Sequence, residues 1–264
     1  MGPDMTRPGG AAAGARYALE VRDLEKRFGG LAALRGVSLW ARHSEVTAIV
    51  GDNGAGKSTL VKCVTGIHKP GAGRILLDGE ELALSSPEEA REAGVETVYQ
   101  DLSLVDDLSV AQNFFLGRER TRSLGPVRWL DRKSMSQAVT EALSTLAVNA
   151  PSPKARVRRL SGGQRQAIAI ARSAAFGSKL VIMDEPTASL GVQETARVEE
   201  TIRRLRARGV PIVLISHDMQ QVLRLSDRVW VLRAGRVAGG GPTSELDGDR
   251  LVGLITGAKE GRQP

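Results

Sequence analysis

Residues 51–59, with the sequence GDNGAGKST, constrain the fold of this chain more than any other stretch. The apolar run at residues 46–50 precedes them and predicts a buried parallel strand, and residues 58–66 carry apolar side chains at helical spacing. A glycine-rich loop between a strand and a helix is a setting in which backbone N–H groups bind phosphate. The sequence therefore predicts an α/β fold with a phosphate-binding loop at this position.

The residue types of this loop match the chemistry of a nucleotide with its Mg²⁺. Its three glycines let the backbone curl so that successive N–H groups point inward, and the following helix adds its positive N-terminal end. Lys57 would reach the β- and γ-phosphates, the Ser58 hydroxyl would take a Mg²⁺ position, and Thr59 would add a hydroxyl near the phosphates. The alternative is a glycine-rich turn that binds nothing. The residues expected to contact the nucleotide are Gly51, Asp52, Asn53, Gly54, Ala55, Gly56, Lys57, Ser58 and Thr59.

Length and charge narrow the class of protein. The 264 residues suffice for one large α/β domain or two small ones with a substantial core. The net charge of +7 and the pI near 10.0 would suit nucleic acid or an anionic membrane surface. However, the basic residues are spread along the chain among 30 acidic ones, which favours a solvated, arginine-rich surface.

Cysteine content and hydropathy give expectations about the compartment. Cys63 is the only cysteine, so no disulfide can form within the chain, and we interpret it as a packing residue in a reducing cytosol. No stretch reaches the about 18 apolar residues of a membrane span, and the N-terminus lacks the apolar core of a signal peptide. The chain itself is predicted not to cross a membrane.

The two ends of the chain differ from its middle. Residues 1–16 are rich in Gly, Pro and Ala with nothing to bury, so we expect a disordered leader. The polar residues 258–264 are expected to fray. Residues 17–257 are predicted to form a single domain.

The segment from residue 17 alternates in the manner of short strands joined by turns at Gly29-Gly30 and Gly36. Phe28 lies at the end of one strand, just before the glycine pair, in a chain with only 3% aromatic residues. Two interpretations of its ring remain open: ordinary core packing, or a platform on which a base stacks.

The region after the phosphate-loop helix changes character along its length. Residues 73–82 predict a hairpin, residues 86–94 a short helix, and residues 95–99 a second core strand that ends at Gln100. From residue 101 to about residue 150 the pattern predicts helices and loops, as part of an inserted helical subdomain that extends to about residue 175.

Residues 160–164, LSGGQ, open an apolar helix at residues 166–176. Ser161 offers a hydroxyl, and Gly162 and Gly163 offer unhindered N–H groups at the helix start, which would suit a second anion. The alternative is an ordinary helix cap without a ligand.

Acidic and imidazole side chains follow two further buried strands. The apolar run at residues 180–183 leads into Asp184 and Glu185, at the strand end where α/β proteins place their ligands. Asp184 suits Mg²⁺ coordination, and Glu185 suits a general base for a water that attacks the γ-phosphate. His217 follows the run at residues 212–215, and it is either structural or a contact to the γ-phosphate.

In this order, the motifs resemble those of the ATPase subunit of ATP-binding cassette (ABC) transporters. The set comprises GDNGAGKST, Gln100, LSGGQ, LVIMDEP and His217, and the resemblance covers nearly all of residues 18–257. LSGGQ separates this family from other phosphate-loop ATPases. The resemblance implies a P-loop NTPase fold with a RecA-like core sheet, an antiparallel β subdomain and an inserted α-helical subdomain.

The same resemblance assigns roles by position, with ATP and Mg²⁺ as the ligands. It implies that Phe28 stacks on adenine, that Gln100 is a lid glutamine contacting Mg²⁺, and that Glu185 and His217 are the catalytic base and the switch histidine. The residues implied to contact ATP held by another subunit are Ser161, Gly162, Gly163 and Gln164. The residues implied to contact the metal are Ser58, Gln100 and Asp184.

Family membership would also imply an assembly. Two copies would sandwich two ATP molecules head to tail, so that dimerisation completes the active site. Transmembrane permease subunits would convert closing and reopening of the pair into alternating access. The chain would then be a peripheral protein on the cytoplasmic face of the membrane, with a solute-binding protein as an indirect partner.

Two segments, residues 100–119 and 185–194, are similar to those of simple-sugar importers of the ribose, xylose and fructose type. Many such importers fuse two cassettes in one chain, whereas one is present here, which implies a homodimer. Gly191 stands where most cassettes have an aspartate, and this departure bears on how the two ATP sites communicate.

Three rival functions are an exporter ATPase, a nucleic-acid-associated cassette and a non-catalytic interaction module. Nucleic-acid-associated relatives usually carry long coiled coils or tandem cassettes, and neither is visible, so no nucleic-acid partner is expected. The intact Lys57, Asp184, Glu185 and His217 argue against a non-catalytic module.

Four apolar residues follow Gln100 closely: Leu102, Leu104, Val105 and Leu108. Part of this cluster is hypothesised to line a groove for a short helix of the membrane subunit. Ordinary packing within the helical subdomain is the alternative.

Overall fold

The structure is a computed structural model of the chain. It describes residues 17–124, 127–148, 152–176 and 179–258. The predicted leader and residues 259–264 of the predicted tail lie outside the described residues.

The strands are β1 (Tyr17–Phe28), β2 (Leu31–Arg42), β3 (Val46–Val50), β4 (Ala72–Leu77), β5 (Glu80–Glu81), β6 (Val95–Val98), β7 (Thr121–Leu124), β8 (Val127–Leu130), β9 (Leu180–Asp184), β10 (Ile212–Ile215), β11 (Arg228–Arg233) and β12 (Arg236–Pro242). The helices are α1 (Lys57–Val64), α2 (Pro87–Glu92), α3 (Val110–Phe114), α4 (Arg132–Thr145), α5 (Gly162–Ala175), α6 (Val192–Ala207), α7 (Met219–Leu225) and α8 (Gly248–Thr256). Short 3-10 helices span Val157–Arg159 and Thr243–Glu245.

The chain divides into two compact units. The first contains residues 17–97, 179–185 and 206–258, and the second contains the described residues of 98–176 together with 186–205.

A six-stranded sheet with the order β12-β11-β3-β10-β9-β6 forms the centre of the first unit. Its strands β11, β3, β10 and β9 run parallel, and β12 is antiparallel to β11. β3 and β10 are buried throughout and β9 over its first four residues, as expected of strands covered on both faces. Because the carboxyl ends of parallel strands meet at one edge, the residues that follow β3, β9 and β10 come together there.

A four-stranded antiparallel sheet, β2-β1-β4-β5, also belongs to the first unit. Its first two strands have 12 residues each, so they are longer than the short strands predicted, and Gly36 lies inside β2 rather than in a turn. Leu24 pairs with Val37 and Glu25 pairs with Arg35, which makes Gly36 the extra residue of a β-bulge. Its φ of 78° is one that glycine adopts readily.

Other local predictions for this unit are confirmed. Turns occur at Gly29-Gly30 and between β4 and β5 at Asp78-Gly79, and Ser86 caps α2 by accepting the N–H of Glu89 at 3.2 Å. β11 and β12 form a hairpin around Ala234-Gly235.

One apolar core of the first unit includes residues from both of its sheets, among them Leu19 and Trp230, and Leu60 of α1. Trp230 donates from Nε1 to the carbonyl oxygen of Trp40 at 2.9 Å, which joins β11 to β2. Cys63 lies in this core as a free thiol, which confirms its predicted packing role. Burial raises the pKa of this thiol to about 11.

The second unit contains α3, α4, α5 and most of α6. α4 buries Met135, Val139 and Leu143, and Leu146 directly after it is also buried, so these apolar residues lie at helical spacing. The helices and loops predicted for residues 101–150 do not include the hairpin formed by β7 and β8. Residues 121–123 and 128–130 of this hairpin are all exposed, so its strands lack the alternation of polar and apolar residues that signals a strand.

Candidate active site

The loop between β3 and α1 requires glycine at two positions. Gly51 has a φ of 152°, and a Cβ atom there would lie 2.2 Å from the carbonyl oxygen of Leu232. Gly56 has a φ of 108°, and a Cβ atom there would lie 2.9 Å from the carbonyl oxygen of Ala33. A larger residue at either position would displace the loop from its neighbouring backbone.

Lys57 and the start of α1 make this loop positive. Lys57 donates from Nζ to the carbonyl oxygens of Gly51 at 2.6 Å and Asp52 at 3.0 Å, so its ammonium group is held against the loop. Gly56 is the N-cap of α1 and has no side chain, so the first N–H groups of the helix have no side-chain cap from it. Of the other predicted contacts, the exposed or half-buried ones are Asp52, Asn53, Gly54, Ser58 and Thr59, and the buried one is Ala55. This donor set fits the phosphate groups of a nucleotide.

The turn between β11 and β12 supports the phosphate loop, and this contact was not predicted. Gly235 donates its N–H to the carbonyl oxygen of Ala55 at 3.0 Å and accepts the N–H of Arg35 at 2.8 Å. A Cβ atom on Gly235 would lie 2.7 Å from the carbonyl oxygen of Ala33. The turn therefore links the loop to β2. The sequence signals only the hairpin, because the partners of Gly235 are distant in the chain.

Asp184 lies at the end of β9, where the sequence predicts it. Burial raises the pKa of its carboxyl group, and the neighbouring Glu185 raises it further, whereas Lys57 and Lys62 oppose the shift. Ionisation of Asp184 is therefore unfavourable in the folded chain, although the positive charge of Lys57 acts on it. A cation bound beside Asp184 would stabilise its charged form.

Asp184→Asn is expected to raise the melting temperature of the nucleotide-free protein at pH 7. Because the pKa is raised in the folded state, the charged carboxylate costs stability at pH values above it, and this cost disappears below the unfolded pKa of about 3.9. Solvent screening at this half-buried site limits the rise to about 1–2 °C. Differential scanning calorimetry at pH 7 and pH 4 checks this, with Glu92→Gln as the exposed control. A lower melting temperature at pH 7 would contradict it.

Glu185 and His217 are brought together at the same sheet edge. His217 Nδ1 lies 3.0 Å from Glu185 Oε1, and the imidazole is 68% exposed. Glu185 has a φ of 49°, an uncommon value for a residue other than glycine, and donates its N–H to the carbonyl oxygen of Ile215 at 2.9 Å. Ser216, which is buried, accepts the N–H of Asp218 at 3.1 Å and fixes the loop that carries the histidine.

Phe28 is 44% exposed, so the alternative of core packing is wrong. Its ring meets His68 edge-on with the centroids 5.1 Å apart, and Lys26 Nζ lies 5.2 Å from the ring centroid. The exposed ring leaves room for a stacked group. His68 and Lys26 were not predicted as its neighbours, and no local pattern in the sequence links His68 to β1.

Ser161 caps α5 in the second unit, and this cap is common to both interpretations of the segment. Its Oγ accepts the N–H of Gln164 at 3.3 Å, and Gln164 Oε1 accepts the N–H of Ser161 at 3.0 Å. Gly163 donates its N–H to Glu194 Oε1 at 3.3 Å, a partner that was not predicted. Gly162 begins the helix beside Leu190. A cap and an anion contact use different donors, so the second interpretation stays a prediction.

Two further residues singled out in the sequence also lie in the second unit. Gln100 is exposed and follows β6 by two residues. Gly191 is exposed just before α6, and a Cβ atom there would meet no atom within 4 Å. Packing within the chain therefore does not explain the glycine.

Known proteins are similar to this chain in sequence and in fold. The family model described as ABC transporter matches residues 34–188. The xylose/arabinose import ATP-binding protein of Sulfolobus acidocaldarius is 40% identical over 238 residues, which cover 90% of this chain and 93% of that protein. The fructose import ATP-binding protein of Rhizobium meliloti is 46% identical over 246 residues, which cover 92% and 95%. Among solved structures, a Clostridium perfringens protein described as part of an ABC transporter complex is 30% identical, with a TM-score of 0.76 and coverage of 90% and 93%. These matches confirm the predicted fold class.

Proposed function

This chain belongs to the ABC transporter family, and we propose that it binds and hydrolyses ATP to drive the import of a monosaccharide. The observation that carries the proposal is the convergence, at one edge of the parallel sheet, of the phosphate loop, Asp184, Glu185 and His217. These are the parts that phosphoryl transfer to water requires: a cradle for phosphate, a base and a cation site.

Each residue would have a distinct task. The N–H groups of the loop and Lys57 would bind the phosphates, and Glu185 would accept a proton from the attacking water. A hydrogen bond from His217 to the Glu185 carboxylate requires a proton on Nδ1. In a neutral imidazole this is the only N–H proton, so Nε2 carries none. We propose that His217 turns from Glu185 to the γ-phosphate when ATP binds, which would free the carboxylate to act as a base.

Asp184 and Ser58 would hold Mg²⁺, with Gln100 as a further contact. Among the described residues, no three His, Cys, Asp or Glu side chains are grouped so as to bind a metal ion by themselves. The fit is therefore to a cation that takes its other ligands from phosphate oxygens and water. Mg²⁺ would neutralise the charge that develops on the phosphates.

The direction and the substrate class are supported by the relatives. Both curated relatives described above are named as import proteins, one for xylose or arabinose and one for fructose. We propose a pentose or hexose importer of the ribose, xylose or fructose type, rather than an exporter or a nucleic-acid-associated ATPase. Permease subunits and a solute-binding protein would select the sugar.

We place the chain on the cytoplasmic face of the membrane, as a peripheral subunit. None of the helices in the described part of the chain is both long and apolar enough to cross a bilayer. A free, buried Cys63 is compatible with a reducing compartment.

We propose that the chain forms a homodimer. The LSGGQ segment supports this, because its residues 161–164 would contact ATP held by the other copy. With Mg-ATP, Glu185→Gln should convert monomer to dimer, and adding Ser161→Arg should prevent this. Light scattering measures the outcome. Ser109→Arg is the matched control, since Ser109 forms the same capping box with Gln112 at the start of α3. A monomer under every condition would remove the sandwich from the proposal.

The loop of residues 102–109 would receive the membrane subunit. Asn113 is fully buried and clamps this loop, since it accepts the N–H of Val105 at 2.7 Å and donates to the carbonyl oxygens of Val105 and Ser109 at 3.0 and 3.1 Å. Val105 is nevertheless 44% exposed, and Leu104 is half-buried. A fixed loop that presents an apolar side chain to solvent would suit a docking helix.

Val105→Glu should therefore leave the ATPase rate and melting temperature of the isolated chain nearly unchanged, yet abolish sugar uptake and membrane association. Uptake of labelled sugar by cells that carry the variant is the measurement. Leu116→Glu, at an apolar residue of the same unit that is also about half exposed, is the control and should keep uptake. If Val105→Glu instead unfolds the chain, the residue is core and the docking site is wrong.

A further inference from the structure

Glu194, in the first turn of α6, touches the LSGGQ segment within the second unit. Its Oε1 accepts the N–H of Gly163 at 3.3 Å, and the hydroxyl of Ser161 also hydrogen-bonds to it. A Cβ atom on Gly163 would lie 2.9 Å from the Cβ atom of Glu194, so the acidic side chain packs directly on the start of α5.

The donors that hold Glu194 are two of those assigned to ATP in the proposed function. A carboxylate and a phosphate both accept hydrogen bonds from N–H groups at a helix N-terminus and from a serine hydroxyl. Hydrogen bonds from Gly163 and Ser161 lower the pKa of Glu194, so it is charged at neutral pH. A negative charge therefore already stands at the place where phosphate would have to approach.

We infer that the Glu194 carboxylate is a built-in competitor of the nucleotide phosphates, which occupies Gly163 and Ser161 in the resting chain and must give them up when two copies close on ATP. The inference rests on the proposed function and assigns a regulatory role to one residue of the same site. Glu194 would oppose closure at low ATP concentration and would return to its donors after phosphate leaves.

The surroundings of Glu194 offer somewhere for the displaced carboxylate to go. Arg197, one turn later on α6, attracts the carboxylate, and the backbone N–H of Gly191 also donates to it. Glu194 can thus release Gly163 and Ser161 while it keeps a hydrogen bond and a nearby positive charge. A side-chain movement of this kind needs no change in the helix.

A purely structural brace between α5 and α6 makes a different prediction from a competing charge. Glutamine keeps the shape of glutamate and an Oε1 acceptor for Gly163, but it removes the charge. A brace would tolerate Glu194→Gln, whereas a competitor would be disabled by it. Sodium chloride separates the two roles further, because charge repulsion at a partly exposed site is screened by salt.

The experiment titrates Mg-ATP into a Glu185→Gln protein, with and without Glu194→Gln, and follows dimerisation by light scattering in 50 and 500 mM NaCl. We expect Glu194→Gln to lower the half-maximal ATP concentration by about fivefold at low salt, the size of one charge repulsion at about 4 Å in water. The difference should shrink at high salt. Binding of a fluorescent ATP analogue to the monomer should not change. Glu200→Gln, at an exposed carboxylate on the same helix, should behave like the parent.

The outcomes separate the inference from the function on which it rests. If the parent dimerises with ATP and Glu194→Gln needs the same or more ATP, Glu194 is a brace and the inference is overturned, while the sandwich stands. If the parent never dimerises, the sandwich fails and the inference fails with it. A fivefold shift that is equal at both salt concentrations would also overturn it, because a competing charge must be screened.

Discussion

Glu185→Gln is expected to lower the rate of ATP hydrolysis by about 10²–10⁴-fold while ATP binding is kept. Glutamine has nearly the shape of glutamate but cannot accept a proton from water at neutral pH, so only the base function is lost. It can still accept a hydrogen bond from His217, which lies 3.0 Å away, so the geometry of the strand end should persist.

Steady-state release of phosphate measures the rate, and equilibrium titration with a fluorescent ATP analogue measures binding. Glu80→Gln, at an exposed carboxylate on β5 in the same unit, is the control and should hydrolyse ATP at the parent rate. A Glu185→Gln protein with nearly the parent rate would mean that another group accepts the proton. A protein that no longer binds ATP would mean that Glu185 has a structural role.

The parts of the fold that could be predicted are those in which local pattern and burial agree. The runs that became β3, β9 and β10 are mostly apolar and are bounded by charged residues, glycine, proline or serine, so both their existence and their parallel arrangement follow from the sequence. Because ligands gather where such strands end, the meeting of the phosphate loop with Asp184 and His217 could be predicted without coordinates.

Other parts depend on contacts that no local pattern contains. The described side chains of the β7–β8 hairpin are exposed, so its sequence lacks the polar and apolar alternation that a half-buried strand would show. The sequence predicts a turn at Gly36 because glycine favours turns, but the pairing of β2 with β1 makes this residue part of a β-bulge. Gly235 beneath the phosphate loop and Glu194 on the LSGGQ segment are tertiary partners of motifs that are themselves easy to recognise.

Lys57→Ala is expected to weaken ATP binding by about 100-fold or more. Hydrogen bonds to charged groups contribute about 1.5–3 kcal/mol each, and a lysine that reaches two phosphates would make two of them, which together contribute about 3 kcal/mol or more. In the structure its Nζ already lies against the loop, bonded to the carbonyl oxygens of Gly51 and Asp52, so little ordering should be needed when phosphate arrives. The bond to Asp52 is exposed and the bond to Gly51 is only partly buried, so the fold should tolerate the loss.

The matched control is Lys62→Ala, because Lys62 carries the same charge in the last turn of α1, is exposed, and also acts electrostatically on Asp184. Isothermal titration calorimetry with ATP should show a large loss for Lys57→Ala and a small one for Lys62→Ala. If both variants lose affinity equally, the effect comes from the general electrostatic attraction of the positive charges, which weakens only gradually with distance. If Lys57→Ala binds like the parent, the loop holds phosphate through its backbone N–H groups alone. A selective loss at Lys57 would show that a specific contact, rather than the general positive field of α1, holds the nucleotide.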